Sequence, residues 1–381
     1  MRTAKLKDIT LTITDGKHGD CKNHDGSGYY FISCKDVYDE TIHYENARQI
    51  TEDDFRDADR RTNLAAYDIL ITNSGTIGRM ALVKDIPETR KTTFQKSVAI
   101  VRADTSQVVP NYLYYLLKSK VHDFINSSNG SAQKNLLLST MRDFDISFVD
   151  SFETQHRIAS ILSRYDSLIE NYQKQIKLLE EAAQRLYKEW FIDLHFPGHE
   201  NTKIVDGVPE GWEKKKVGDI APIITGKKDA NFGTPDGEYP FFTCSQEPIK
   251  APSFSFDCAA VLLSGNGDFN VKLYRGKFEA YQRTYVLSPC CAQHLYLLYY
   301  TISANMTKLA AGSSGSTIKF LTKGMIDGIN LNVPNYEILE SFNKKVEPIQ
   351  SSRESLQYQL RLLTEARDRL LPKLMSGEIT V

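Results

Sequence analysis

A heptad pattern of apolar residues occurs twice in this chain, and one constant offset, which places Ile158 at the position of Phe342, relates the two copies. The apolar positions alternate in steps of four and three, a period of about 3.5 residues that keeps one stripe of a helix facing a partner helix. Residues 178–186 (LLEEAAQRL) align in the same register with 362–370 (LLTEARDRL). The sequence therefore predicts two long helices of common origin. The predicted seam residues are Ile158, Leu162, Ile169, Ile176, Leu179 and Leu186 in the first helix, and Val346, Leu356, Leu360, Leu363 and Leu370 in the second.

The segments in front of the two helices also repeat. Short alternating apolar runs between Gly, Asn and Asp clusters predict strands, and runs rich in tyrosine and leucine predict short helices. Each segment is therefore expected to be a small α/β domain. The matching stretches are 29–34 (YYFISC) with 239–244 (YPFFTC), 68–75 with 259–267, 94–101 (FQKSVAIV) with 281–287 (YQRTYVL), and 112–117 (YLYYLL) with 295–300 (LYLLYY).

Helix-breaking residues indicate where the segments meet. The connector 195–212 contains two Pro and three Gly and is not expected to be helical. Pro348 is expected to kink the second helix or to delay its start, and Gly377 to cap its end. The predicted fold is α+β, with two similar α/β domains separated by two long helices that pair as an antiparallel coiled coil with pseudo-two-fold symmetry. The predicted boundaries are 1–150 for the first domain, 151–195 for the central helix, 196–335 for the connector and second domain, and 336–381 for the C-terminal helix.

Composition excludes few functions. The chain has 47 basic and 48 acidic residues, so its net charge neither supports nor excludes nucleic-acid binding. Its six cysteines form no C-x-x-C pair, and no apolar run approaches the length of a membrane span. The expectation is a cytoplasmic protein with reduced thiols and no membrane contact.

The sequence lacks the common motifs of catalysis and metal binding. It contains no P-loop, no G-x-G-x-x-G after a strand and no Asn-Pro-Pro-Tyr-type methyltransferase tetrapeptide. Pro197 and Gly198 prevent His195 and His199 from forming a helical ligand pair. We predict no catalytic residue and no metal site. Two alternatives stay open, a coiled-coil scaffold that binds no nucleic acid, and a nuclease or methyltransferase with an unrecognised site.

The order and duplication of these features resemble the specificity (S) subunits of type I restriction–modification systems over essentially the whole chain. The stretches that carry the resemblance are 157–191 (RIASILSRYDSLIENYQKQIKLLEEAAQRLYKEWF), 208–220 (VPEGWEKKKVGDI) and 363–379 (LTEARDRLLPKLMSGEI). The resemblance implies that each domain reads one half of a split, asymmetric target in double-stranded DNA, while the helices set the spacer. It also implies that two N6-adenine methyltransferase (M) subunits dock on the helices and that restriction/translocase (R) subunits join them. This chain would hold no cofactor, whereas its partners would use S-adenosylmethionine, ATP and Mg.

Candidate DNA-contacting residues lie in three loop regions of each domain and near the first glycine turn. Specific reading needs polar or basic side chains that reach base edges, and further basic residues that contact phosphates. The alternative is that these loops are ordinary solvated turns. The candidates are Lys17, Asn73, Ser74, Thr76, Arg79, Lys91, Gln95, Lys96, Ser131, Gln133 and Lys134 in the first domain, and Lys227, Lys228, Asn266, Asn270, Lys272, Gln282, Arg283, Ser316, Thr317 and Lys319 in the second.

Two features of the helices allow more than one interpretation. Arg353 and Arg367 interrupt the second seam. Each arginine either lays its stem along the seam and meets a carboxylate such as Glu180 or Glu181, or forms a docking point for another subunit. The aromatic pair Trp190-Phe191 either packs against the second domain or helps to dock the methyltransferase.

Overall fold

A computed structural model describes residues 1–128, 135–313 and 319–381. The chain forms two compact units, each with one α/β domain and parts of both long helices. Unit 1 consists of Met1–Asn171 and Gln359–Val381, and unit 2 of Tyr172–Tyr358. Within the residues described, no helix is long and apolar enough to cross a membrane.

The unit 1 domain is built on a small antiparallel sheet. Its strands are β1 (Arg2–Lys5), β2 (Thr10–Asp15), β3 (Tyr30–Ile32), β4 (Val37–Tyr38), β5 (Thr41–Ile42), β6 (Ile69–Thr72), β7 (Met80–Leu82), β8 (Thr92–Phe94), β9 (Val98–Ala103) and β10 (Asp145–Phe148). The sheet order is β2-β9-β6-β7. In addition, β3 pairs with β8 in parallel, β4 and β5 form a hairpin, and β1 pairs with β10. Ile69 and Ile71 pack on one face of the sheet and Leu70 on the other, so β6 is a continuous apolar run.

The helices of this domain begin and end at residues suited to those positions. They are α1 (Glu52–Thr62), α2 (Pro110–Ser119), α3 (Val121–Asn126) and α4 (Leu138–Arg142), followed by the long helix α5 (Phe152–Tyr187), which continues as a π-helix over Lys188–Ile192. The Thr51 side chain caps α1 by accepting from the Asp54 amide, and Asn63 ends it in the left-handed conformation. Pro110 occupies the first turn of α2, where no amide donor is needed.

The unit 2 domain repeats this plan with a larger sheet. Its strands are β11 (Ile204–Val205), β12 (Val208–Pro209), β13 (Glu213–Lys216), β14 (Ile223–Thr225), β15 (Tyr239–Phe242), β16 (Ile249–Ala251), β17 (Phe256–Ser264), β18 (Val271–Ala280), β19 (Thr284–Leu287) and β20 (Asn330–Val333). The sheet order is β14-β19-β17-β18-β15-β16, and β13 pairs with β20 as β1 pairs with β10. The helices are α6 (Val217–Ile220), α7 (Leu295–Gly312), α8 (Lys323–Asp327) and the long helix α9 (Tyr336–Ser376).

The two domains differ mainly in the segment between β3 and β6 of unit 1 and the corresponding segment between β15 and β17 of unit 2. In unit 1 this segment contains the hairpin β4-β5 and helix α1, whereas in unit 2 it consists of residues 243–255. Unit 1 also has two separate strands, β7 and β8, where unit 2 has the single strand β18, which pairs with both β17 and β15.

At two places, the hydrogen bonds align the residues of the two domains differently from the sequence match. Val98 and Thr284 donate equivalently, to Gln95 and Tyr281, so Gln95 corresponds to Tyr281 and not to Gln282. Asp166 and Gln350, which the offset of the two seams places at one position, contact Tyr115 and Tyr300 respectively. The pair Tyr114-Tyr115 therefore corresponds to Tyr299-Tyr300, and the predicted match of 112–117 with 295–300 is wrong by two positions.

Within each unit the two long-helix segments run antiparallel. In unit 1, Ile158 and Leu162 of α5 share a core with Leu371 and Leu374 of α9. In unit 2, Trp190 and Phe191 pack against Phe342, so this aromatic pair is buried against the second domain and the start of α9, as the first interpretation predicted. All the predicted seam residues are buried or half-buried. The predicted seam residues therefore lie on the less exposed side of each helix.

The second long helix extends further than its prolines suggest. It starts at Tyr336 and continues through Pro348 to Ser376, so the predicted delayed start is wrong. Gly377 follows with a φ of +77°, and its amide donates to the Leu374 carbonyl. This is the glycine cap that the sequence predicts.

Candidate nucleic-acid interface

In unit 1 several predicted loops meet at one edge of the sheet, where β2, β3, β6 and β8 end and β9 begins. The Asn73 amide donates to the Ser97 carbonyl at 3.0 Å, and the Leu136 amide to the Asn73 carbonyl at 2.8 Å. The Lys17 amide donates to the Phe94 carbonyl at 2.8 Å. Backbone bonds thus hold together residues from widely separated parts of the chain. We call Lys17, residues 73–79, residues 95–97 and residues 135–136 the recognition edge of unit 1.

The side chains along this edge divide into exposed and buried groups. Thr76, Arg79 and Lys96 are exposed, and Ser74 and Gln95 are half-buried. Asn73 is buried, and its Oδ1 has no hydrogen-bond partner among the described residues. Gly75 has a φ of +76°, and a Cβ there would lie 2.9 Å from the Cys34 sulfur, so the tight turn requires glycine. The edge therefore presents guanidinium, ammonium, hydroxyl and amide groups on a fixed backbone.

Lys17 is held by acidic residues that the sequence did not connect with it. Its Nζ lies 3.0 Å from Asp57 and 3.7 Å from Asp54, both on α1. The hydrogen bond with Asp57 raises the pKa of Lys17. Because its charge is already paired, Lys17 is less suited to a phosphate contact than an exposed lysine. The acidic run after Thr51 predicts a helix start, but nothing in its spacing indicates that it faces Lys17.

Unit 2 has an equivalent edge with different side chains. The Gly265 amide donates to the Arg283 carbonyl and the Leu321 amide to the Gly265 carbonyl, each at 2.8 Å. The Gln282 amide donates to the Lys228 carbonyl at 2.9 Å. We call residues 227–228, 264–267, 281–283 and 319–321 the recognition edge of unit 2. The side chains of Lys227, Gln282, Arg283 and Lys319 are exposed there.

Three candidate residues of unit 2 have side chains that are restrained by contacts within their own domain. The Lys272 Nζ donates to the Ser245 carbonyl at 2.8 Å and to the side chain of Asn270. Asn270 donates in turn to the Cys244 carbonyl at 3.0 Å, so both side chains brace the loop that follows β15. Burial lowers the pKa of Lys272 to about 8. The Lys228 Nζ lies 4.3 Å from the centre of the Phe232 ring, a cation–π contact that restrains it.

At the recognition edge of unit 2, Gln282 donates its side-chain amide to Asp229. Lys91 is at the opposite end of β8 from Gln95, with its Nζ 5.7 Å from the Tyr29 ring centre, so the structure does not bring it to the edge of unit 1. Five candidates fall outside the described residues, namely Ser131, Gln133, Lys134, Ser316 and Thr317.

At the joint between the unit 1 domain and the long helices, Arg367 is buried in an ionic cluster. Its Nη1 lies 2.8 Å from both Asp166 of α5 and Glu40 at the tip of the hairpin β4-β5. Tyr115 donates to Asp166 at 2.5 Å, and Lys118 pairs with Glu40 at 2.5 Å. Arg367 thus meets carboxylates, as one interpretation predicted, but not Glu180 or Glu181.

The corresponding joint in unit 2 contains Arg353. Its Nη1 donates to the Tyr299 hydroxyl at 2.9 Å, and its Nε has no hydrogen-bond partner among the described residues. Gln350 donates to the Tyr300 hydroxyl. Arg353 and Arg367 are each only 7% exposed, so neither is a docking point on the surface.

The described part of the chain contains no cluster of three or more His, Cys, Asp or Glu side chains that could hold a metal ion. The edge residues are hydrogen-bond donors, acceptors and cations on glycine-containing turns. Such groups are suited to contacts with phosphates and base edges.

Comparison with known proteins gives concordant matches. A family profile described as "Type I restriction modification DNA specificity domain" matches residues 3–181 and 209–356. The chain is 37% identical over 177 residues to the type I restriction enzyme EcoDI specificity subunit of Escherichia coli, an alignment that covers 45% of this chain and only 40% of that protein. It is 28% identical over 395 residues to the type I restriction enzyme MjaIX specificity subunit of Methanocaldococcus jannaschii, covering 94% of this chain and 89% of that protein.

One solved structure supports the fold. The crystal structure of a type I restriction-modification system S subunit from M. genitalium matches with a TM-score of 0.63 at 16% identity, covering 98% of this chain and 96% of that one. At this identity the match supports the architecture alone. The profile matches twice, and each match covers one α/β domain and part of the long helix that follows it.

Proposed function

We propose that each of the two α/β domains of this chain reads one half of a split, asymmetric DNA target. The premise is that the chain belongs to the type I restriction modification DNA specificity family and is a specificity subunit. Specificity subunits are the non-catalytic DNA-recognition components of restriction–modification complexes. The chain itself therefore contributes recognition, and the chemistry belongs to its partner subunits.

The two recognition edges are the main support for this proposal. Equivalent backbone bonds build both edges, but the side chains that they present differ. Arg283 in unit 2 stands where unit 1 has Ser97, and Gln95 in unit 1 stands where unit 2 has Tyr281. Arginine favours guanine and glutamine favours adenine at major-groove edges, so different side chains on one framework imply different half-sites. We infer direct or phosphate contacts from Ser74, Thr76, Arg79, Gln95 and Lys96 in unit 1, and from Lys227, Asn266, Gln282, Arg283 and Lys319 in unit 2.

The long helices support the second part of the proposal, in which they set the spacer between the half-sites. At a rise of about 1.5 Å per residue, a helix as long as α5 spans roughly 50 Å or more, which is longer than one turn of DNA at ~34 Å. A helix with a given number of residues fixes the distance between its ends, because its backbone hydrogen bonds resist stretching. Adding residues to α5 is expected to change the spacer without changing either half-site.

Two exposed apolar positions, each present twice, support the docking of two adenine methyltransferase subunits. Leu178 and Leu362 are 63% and 45% exposed, and the offset of the two seams relates them. Phe152 and Tyr336 are related by the same offset and are 41% and 59% exposed. Exposed apolar side chains at repeated positions indicate a duplicated interface. We propose that each copy docks one methyltransferase, that restriction/translocase subunits add to this core, and that S-adenosylmethionine, ATP and Mg are bound by those partners.

Methylome sequencing tests this proposal. The chain is expressed with the adenine methyltransferase of its own system in a host that lacks both, and the methyltransferase alone is the control. The expected result is a split motif with one N6-methyladenine in each half, on opposite strands, only when both proteins are present. An active methyltransferase that binds this chain but modifies no new sequence would instead favour a scaffold that reads no DNA.

A further inference from the structure

A groove on the surface of unit 1 is open where unit 2 fills the equivalent place with its own side chains. The groove has a volume of about 470 Å³. It lies between the first turns of α5, the start of α2 and Tyr67. The residues that line it include Tyr67, Val109, Pro110, Asn111, Ala159 and Ser163.

The repeat shows what occupies this place in unit 2. The offset of the two seams makes Glu347 the counterpart of Ser163, and the register of the paired tyrosines places Asn111 at the position of Tyr296. Tyr296 is 3% exposed, and its hydroxyl donates to Glu347 at 2.6 Å. The Arg275 guanidinium lies 5.1 Å from the centre of its ring. In unit 1 the shorter Asn111 and Ser163 leave the volume of a buried phenol unfilled.

The walls of the groove suit an aromatic ring with a polar end. Val109, Pro110 and Ala159 supply apolar contacts, and Ser160 and Ser163 supply hydroxyl groups. Such a mixture of apolar walls and a few polar groups is typical of sites that bind a ligand or a partner side chain.

Tyr67 stands at this groove in a strained conformation. It has a φ of +70° and is 56% exposed. A bulky residue in the left-handed region is uncommon and strained, and such strain is concentrated at functional sites. The backbone therefore keeps a large aromatic side chain exposed beside an unfilled groove.

The position of the groove favours a protein partner over DNA. Tyr67 lies two residues before β6, whereas the recognition edge begins at Asn73, six residues further along and roughly 20 Å away at about 3.3 Å per residue. A second groove shares His156 and Ser160 and continues along α5 past Ile161 and Arg164. The open surface thus follows the long helix, on which we place the methyltransferase.

We propose that the groove of unit 1 receives a tyrosine side chain from a methyltransferase subunit, and that unit 1 for this reason holds its methyltransferase more tightly than unit 2 does. This inference rests on the proposed function, because it takes the docking of two methyltransferases as its starting point. It adds a named contact and an asymmetry between the two docking positions.

Titration followed by native mass spectrometry tests the asymmetry. The chain is mixed with the adenine methyltransferase of its own system, and the dissociation constants of the one-to-one and two-to-one complexes are measured. Ser160→Trp fills the groove, and Lys344→Trp places the same side chain at the equivalent exposed position of unit 2 as a matched control. We expect two unequal constants for the unaltered chain. Ser160→Trp should weaken the tighter one about tenfold, and Lys344→Trp should leave that constant unchanged.

A second variant separates loss of docking from loss of folding. Asn111→Tyr combined with Ser163→Glu rebuilds in unit 1 the tyrosine and glutamate of unit 2, and it should weaken the same constant. Wild-type affinities for Ser160→Trp and for the double variant, each with an unchanged thermal unfolding midpoint, would overturn the inference while leaving the proposed function intact. An unaltered chain that binds no methyltransferase at all would overturn both.

Discussion

In unit 1 the domain meets the long helices through a buried ionic cluster, whereas in unit 2 the equivalent contact is made by tyrosines with one amide and one arginine. Asp166 in unit 1 accepts a hydrogen bond from Tyr115 and forms an ion pair with Arg367. Its counterpart Gln350 donates to Tyr300 instead. Both joints contain the paired tyrosines, but the residue bonded to the second tyrosine is a charged aspartate in unit 1 and a neutral glutamine in unit 2.

The difference shows that the inserted hairpin β4-β5 of unit 1 supplies a partner for Arg367 of α9. The tip of the hairpin β4-β5 has two residues in the left-handed region, Asp39 and Glu40, which is typical of a two-residue hairpin turn. That turn directs Glu40 to Arg367, and a buried guanidinium requires such partners. In unit 2 the segment between β15 and β17 contains the strand β16, which pairs back on β15, and Arg353 donates to the hydroxyl of Tyr299.

The largest expected effect separates the two arginines. Arg367→Ala leaves Asp166 without its cation and Glu40 with Lys118 alone, and it should lower the free energy of unfolding by about 3 kcal/mol, the low end for a broken buried pair because both carboxylates retain some contact with water. Arg353→Ile introduces the residue that the repeat has at Ile169 and removes an unsatisfied Nε. Its effect should lie within about 1 kcal/mol of zero. Urea unfolding monitored by circular dichroism measures both values.

Equal losses for the two variants would contradict this view of the joints. Arg367→Ala combined with Asp166→Asn is a useful control, because it removes the carboxylate charge that loses its cation. The double variant should recover part of the loss.

A smaller effect concerns what each edge reads. Arg283→Ala should weaken binding to the target by about 1–3 kcal/mol and relax specificity at one base pair of the half read by unit 2. Ser97→Ala, at the equivalent position of unit 1, is the matched control and should leave that half unaffected. Fluorescence anisotropy of the reconstituted complex with targets altered one base pair at a time measures this. A loss spread evenly over both halves would mean that Arg283 contacts phosphate or shapes the fold.

Lys272 distinguishes the units by its pH dependence. Unit 2 buries this ammonium group with a pKa of about 8, whereas the equivalent residue of unit 1 is Ala81. Because the folded-state pKa lies below the unfolded value near 10.5, the buried charge costs stability below pH 8, and that cost disappears as the pH rises toward 10.5. Lys272→Met should be more stable than the unaltered chain near pH 7, by on the order of 1 kcal/mol after allowance for solvent screening, and the difference should shrink above pH 9. A difference that stays constant from pH 7 to 10 would exclude titration of Lys272 as its cause.

The smallest effect concerns phosphate contacts by the lysines that follow two equivalent glycines, Gly16 and Gly226. Lys227 is exposed, whereas Lys17 is paired with Asp54 and Asp57. Lys227→Ala should reduce the slope of log affinity against log salt by about 1, and Lys17→Ala should change it less. Asp57→Asn should partly release Lys17 and steepen the slope. DNA-binding measurements over a range of salt concentrations decide this, and equal slopes for Lys17→Ala and Lys227→Ala would contradict the proposed role of α1.

The framework of the fold follows from the sequence because it depends on periodicity. The seam from Ile158 to Leu370 follows a period of about 3.5 residues, and burial of an apolar stripe is a strong and non-directional force. The Gly377 cap follows from backbone freedom that few other residues have. The paired tyrosines are a different case, since a match of letters alone did not set their register correctly. Hydrogen bonds to Asp166 and Gln350 set it instead.

The candidate interface is less predictable because side-chain pairing depends on contacts between distant residues. The sequence identifies polar loops such as that around Asn73, and within each domain the structure brings most of them to one edge of the sheet. It does not reveal that Asp57 pairs with Lys17, or that Lys272 bonds to the loop after β15, since those partners are far away in the chain and belong to different elements. Insertions such as α1 have no repeat partner from which their position could be inferred.

The most direct test of the central claim is an exchange of one domain. Residues 213–333, from β13 to β20, are replaced by the corresponding domain of a specificity subunit with a different target, and the methylome is sequenced with the same methyltransferase. The account predicts that one half of the split motif changes, while the other half and the spacer stay the same. A change in both halves, or a methylated motif identical to that of the unaltered chain, would contradict the claim that each unit reads its own half.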